Sequence, residues 1–196
     1  MSVFTTRVVT SGAGVAATSQ SFAVAADSYI SADSPTRTHG ALNHMKVDMK
    51  REGVPRFGLV RFAVNGLTAP VSRATLRVYA ITASELGVQV HSISNNWDEE
   101  EVTWENAPPP SANAVASSGP IANASTWLSL DVTSLVTGNG TFSFAIGTPS
   151  LDELKLASRE GGESTAPQLV VETDAASPPP PPPPDTTTPS MPATLS

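Results

Sequence analysis

The chain has 196 residues, with 11 Lys+Arg against 18 Asp+Glu and a formal net charge of −7. It contains no cysteine, which excludes disulfide frameworks, thiolate zinc sites and cysteine nucleophiles. No run of about 18 apolar residues exists, so no membrane span is expected, and the acidic balance argues against a general nucleic-acid binder.

Residues 1–25 form an N-terminal extension, low in charge and rich in Ser, Thr, Ala and Gly. Two readings stand. One is a weak secretory signal with Ala23-Val24-Ala25 as a cleavage site, although Ser11, Thr18, Ser19, Gln20 and Ser21 interrupt its apolar stretch. The other is a mature N-terminus in which residues 3–9 and 22–26 are extended and strand-forming.

Residues 26–174 carry the signals of β-structure. Residues 42–50 alternate, with His44, Lys46, Asp48 and Lys50 opposite Met45, Val47 and Met49. In residues 58–64, Val60, Phe62 and Val64 oppose Leu59 and Arg61. In residues 73–82, Ala74, Leu76, Val78 and Ala80 oppose Arg73, Thr75, Arg77 and Tyr79. Residues 88–93, 126–130, 141–147, 154–158 and 168–173 are further strands. Only residues 132–136 suggest a helical turn or two, preceded by Asp131 and followed by glycines. Period-2 segments joined by Gly, Pro, Asn and Ser predict an all-β, antiparallel β-sandwich. Residues 175–196 are a Pro/Thr-rich linker or tail. Its unbroken proline run at 178–184 favours a stiff polyproline II rod, and its threonines suit O-glycosylation.

The charge is unevenly placed. Eight cations and two acids lie between Arg37 and Arg77, a net +6, which leaves −13 for the remainder. An asymmetry this large needs an explanation. Strand parity puts Lys46 and Lys50 on one polar face, Arg61 on a second, and Arg73, Arg77 and Tyr79 on a third. If those strands share a sheet, the side chains form one cationic plate suited to carboxylate or sulfate groups. Otherwise they are separate solubilising residues.

No catalytic constellation is present: no nucleophile elbow, P-loop, dinucleotide fingerprint or His-Glu-x-x-His. No metal ligand set and no cofactor are expected. The run Asp98-Glu99-Glu100-Glu101 offers clustered oxygens for structural calcium. It lacks the alternation and glycine of an EF-hand loop, and this favours a solvated loop.

The stretch Asn96-Trp97-Asp98-Glu99-Glu100-Glu101-Val102-Thr103-Trp104-Glu105-Asn106-Ala107-Pro108 is the most specific in the chain. It resembles the Trp-x-Glu-x-x-Val-Thr-Trp-x-Asn-x-Pro signature of DNRLRE domains, which include carbohydrate-binding module family 96. Ala26-Asp27-Ser28-Tyr29-Ile30, Gly58-Leu59-Val60-Arg61-Phe62, Ala74-Thr75-Leu76-Arg77-Val78-Tyr79 and Leu130-Asp131-Val132-Thr133 are similar to further family segments, in order. So are Ala157-Ser158-Arg159-Glu160 and Ala166-Pro167-Gln168-Leu169. His39-Gly40 departs from the usual Asn-Tyr-Gly turn, and the string that names the family is absent.

The resemblance implies a jelly roll and a non-catalytic, secreted or cell-surface module. Some relatives of this kind bind alginate through Lys and Arg. Carried over by position, Lys46, Arg61, Arg77 and Arg159 match basic strand residues, with Lys50 and Arg56 as neighbours; Tyr79 adds a ring to the plate. The signature makes Trp104 architectural and leaves Trp97 between packing and stacking on sugar. The expected partner is an acidic polysaccharide. The alternative is a structural or adhesive subunit of an extracellular filament or surface assembly, with the N-terminal arm and Pro-rich tail as contacts.

Overall fold

The alternating segments become antiparallel strands in the computed structural model, which describes residues 18–50 and 53–174. In chain order they are β1 (Thr18–Ser31), β2 (His44–Met49), β3 (Pro55–Val64), β4 (Val71–Ala80) and β5 (Gln89–Ile93). Then come β6 (Ala116–Ser117), β7 (Thr126–Asp131), β8 (Gly140–Gly147), β9 (Leu154–Ala157) and β10 (Gln168–Thr173). A single 3-10 turn, Arg159–Gly161, is the one helical element among the described residues. Residues 132–136 form only a turn. Asp131 Oδ1 accepts the Thr133 N–H at 2.9 Å, and Leu135 N–H donates to the Val132 carbonyl at 2.9 Å. Gly138 and Gly140 follow at once, so the turn has no room to propagate.

The sheet closes on itself because two strands are shared between its halves. The first part of β1 pairs β10 and its second part pairs β3; β2 pairs β9 and then the start of β3. Half A therefore contains β1, β10, β4, β7, β9 and β2, and half B contains β1, β2, β3, β8, β5 and β6. A register shift between Val24 and Ala26 marks where β1 crosses over, as a bulge does when it bends a strand. β1 thus runs across residue 25, where the sequence places the end of an extension. Residues 3–9 and the proline run lie outside the described residues.

The apolar parity set of each strand points between the halves. Phe62, Phe144, Leu76, Leu130, Leu156, Leu169 and Met45 there are at most 1% exposed. A second, smaller core lies on the outside of half B: Ala26, Ile30, Leu59, Trp97, Val102 and Ala145, flanked by Phe57, Ile93, Trp104 and Ala107. This is why Leu59, on the face that parity marks as outer, is 0% exposed.

Candidate functional site

The two outer faces differ in what covers them. Over half B lies the signature segment. Trp97 is buried and its indole N–H donates to Ser143 Oγ at 3.2 Å; Trp104 stacks on Phe57 with ring centroids 6.4 Å apart. Asn106 ties the loop internally, accepting the Thr103 N–H at 2.8 Å and donating to the Glu101 carbonyl at 2.9 Å. Asp98 caps it, accepting the Glu100 N–H at 2.9 Å. Arg61 sits over the Trp97 ring at 4.8 Å and donates to the Trp97 carbonyl at 2.7 Å. Its fork is spent on holding the loop. His39 is buried, stacks on Tyr29 at 3.9 Å and hydrogen-bonds the Tyr29 carbonyl through Nδ1 at 3.0 Å; burial holds its pKa down. Gly40 has no space for a side chain: a Cβ would stand 2.3 Å from the Glu99 carbonyl oxygen. The departure from the family turn at His39-Gly40 is therefore packed against Tyr29 and Glu99.

No described segment covers the outer face of half A. Arg77 lies over the Trp127 ring at 4.6 Å and donates to Gln168 Oε1 at 3.1 Å. Tyr79 meets the same indole edge-on, 5.4 Å between centroids, as its cross-strand partner. Ala80 pairs Leu156, which sets Lys155 opposite Ile81, with Tyr79 diagonal to it on the same face, and Lys46 is directly opposite Lys155. Asn43, His44, Tyr79 and Lys155 line a cleft of about 500 Å³ on this face. Burial, then Lys155 and Lys46, hold the His44 pKa down.

At the edge of this face one carboxylate serves three cations. Glu153 meets Arg56 at 2.7 Å, Lys46 at 3.2 Å and Lys155 at 3.7 Å. Burial pushes its pKa up, but the hydrogen bonds from Arg56 and Lys46 outweigh this and hold it below the usual value. Arg56 also meets the buried Asp48 at 3.4 Å, and Lys50 is paired with Asp33. Burial raises the Asp48 pKa despite Arg56.

Arg159 is at a different place, the seam near the β1 bulge. It is paired with Glu99 and Glu160 and donates to the Ala25 carbonyl at 3.0 Å. Asp27 lies behind it, 0% exposed, with Oδ2 accepting the Arg159 N–H at 2.9 Å. Burial pushes the Asp27 carboxyl up to about 7, and burial also raises Glu99.

The single plate that three strand parities suggested is thus divided. Lys46, Arg77 and Tyr79 share the open face, with Arg56 and Lys50 at its edge. Arg61 is on the opposite side and Arg159 at the seam. Lys155, Trp127 and His44 belong to the open face and were not among the expected binding residues. Alternation around Leu154 and Leu156 marks Lys155 as outward, but only the register sets it against Lys46.

No curated protein matches the chain significantly. Among the described residues, no helix is long and apolar enough to cross a membrane. The family model of carbohydrate-binding module family 96 matches residues 18–173, from the start of β1 to the end of β10, and the chain belongs to that family.

Proposed function

We propose that this protein is a non-catalytic extracellular module that binds an acidic polysaccharide on the open outer face of half A. A jelly-roll reading of the closed sheet goes with it. The observation that carries the proposal is the row of Lys46 and Lys155, paired across strands, Tyr79 in the cleft that Lys155 also lines, and Trp127 and Arg77 beside it. Ammonium groups attract a polyanion without fixing its geometry, while the Arg77 fork suits a carboxylate or sulfate. The Trp127 and Tyr79 rings supply apolar surface for a sugar face. Three cations sharing Glu153 leave positive charge unbalanced there. Arg61 supports the site only through the fold, by pinning Trp97.

The test is a glycan array carrying alginate, pectin, sulfated and neutral glycans, run at low and high salt. Binding to the acidic glycans that weakens steeply with salt is expected, because exposed charges are screened over about 10 Å at 0.1 M. Absence of binding to every acidic glycan at low salt overturns the proposal.

A further inference from the structure

The seam at the β1 bulge holds more negative charge than its one cation balances. Asp27 from β1, Glu99 from the signature loop and Glu160 from the Arg159–Gly161 turn each bring one carboxylate oxygen within 4.8 Å of the others. We propose that these three residues hold a calcium ion, a site separate from the glycan face and independent of what that face binds.

The independent observation is the state of Asp27. It is 0% exposed, and its Oδ1 has no hydrogen-bond partner. A buried carboxylate oxygen left without a partner is costly, and such groups call for a donor or an ion. The neighbouring oxygens are mostly committed. Glu99 Oε1 accepts the Asp27 N–H at 3.0 Å, Glu99 Oε2 is held by Arg159, and Glu160 Oε1 by Arg159 at 2.8 Å. Asp27 Oδ1 and Glu160 Oε2 remain, together with the second lone pairs of the committed oxygens.

Charge points the same way. With all three carboxylates ionised, facing one guanidinium, two negative charges are left, which a divalent cation neutralises. The donors are all oxygen, and zinc favours nitrogen and sulfur. The set is irregular, drawn from three distant stretches of chain. Calcium accepts such sets and completes six to eight ligands with water, whereas magnesium demands a near-ideal octahedron. Of the three carboxylates, Glu160 borders a cleft of about 510 Å³, with Arg159 and Glu163 also on its wall. A bound ion would fasten the signature loop to β1 and to the turn after β9.

The test uses the full chain, dialysed against a chelator and titrated with calcium chloride by calorimetry, with thermal unfolding in parallel. Wild type should take up one equivalent and gain roughly 5–10 °C in Tm once calcium reaches about 100 times its Kd. Glu160→Gln, at an exposed position, should weaken binding about tenfold or more while its Tm in chelator stays that of wild type. Glu163→Gln should bind as wild type does. A folded, chelator-treated wild type that takes up no calcium and shows no Tm shift overturns the proposal. So does a Glu160→Gln variant that binds calcium as tightly as wild type. Neither readout involves a glycan, so failure here is distinct from failure of the polysaccharide reading.

Discussion

The outer faces of the two halves carry the same kinds of side chain to opposite ends. Each has an arginine over an indole, Arg61 over Trp97 at 4.8 Å and Arg77 over Trp127 at 4.6 Å. On half B the indole is buried beneath its own loop and the arginine donates to that loop's backbone. On half A the indole is half-buried, and the arginine donates only to Gln168 among the described residues. The same pair is a clamp in one place and a surface in the other. What decides is whether a segment of chain lies on top, and the segment from Trp97 to Ala107 provides that cover for half B alone.

The largest expected effect tests whether the halves stand or fall together. β1 is one of their two shared strands, and a chain beginning at Ala26 keeps the β1–β3 ladder from Ala26↔Arg61 onward and loses the β1–β10 ladder. It also loses the apolar contacts of Phe22 and Val24 with the main core. We expect a loss of about 4–6 kcal/mol, most of the stability of an ordinary domain. A chain beginning at Thr18 keeps every pairing described and should unfold in urea as the full chain does. If the Ala26 chain unfolded at the same urea midpoint too, the two halves would not be one cooperative unit.

Next in size is the contrast between the two tryptophans. Trp97→Ala empties the second core and should cost about 3–5 kcal/mol. Trp127→Ala removes a half-buried surface ring with its cation–π contact and should cost about 1 kcal/mol. Their effects on acidic-glycan affinity should reverse. Trp127→Ala and Arg77→Ala are each expected to weaken binding roughly tenfold, about 1.4 kcal/mol, as central contacts of an interface do. Trp97→Ala, assayed where it remains folded, should bind as wild type does. Equal binding losses at Trp97 and Trp127 would abolish the distinction between clamp and surface.

Much of the fold is legible in the sequence because period-2 alternation records which side of a strand is buried. It fails where both sides are buried. Leu59 and Ala145 have outer parity, yet both are 0% exposed, since a loop rather than a strand covers them. Nothing periodic announces a covering loop; the signature around Trp97 and Trp104 does so only through its resemblance to a family. The candidate site is legible to a smaller degree for a related reason. Parity tells which residues share one face of one strand, but not which side of a closed sheet that strand occupies. Lys46 and Arg77 gather on half A because β9 joins β2 to β4, a long-range pairing. Arg61 goes to the other side because β3 belongs to half B. Asp48 shows the limit within a single strand: it shares polar parity with Lys46, yet it is buried because β2 there crosses to β3 and meets Arg56.

The smallest expected effect separates the faces by pH. Burial holds both His39, stacked on Tyr29 of the main core, and His44, on the open face, below the ordinary histidine value of 6.5. For either group the unfolded chain takes up its proton first as pH falls below 6.5. Stability is therefore full above 6.5 and declines below it until the folded value is reached. His39→Gln should flatten part of that decline in a series of urea titrations. Ligand affinity should move the other way, and through His44 alone. A bound polyanion favours the protonated ring, so affinity should rise as pH falls below 6.5, and His44→Gln should flatten the rise. His39 is buried and stacked on Tyr29 of the main core, out of a ligand's reach, and its replacement should leave the affinity profile intact. A His39→Gln variant whose glycan affinity lost its pH dependence would show that the buried histidine, not the one on the open face, couples to the ligand, and the assignment of the site to that face would have to be abandoned.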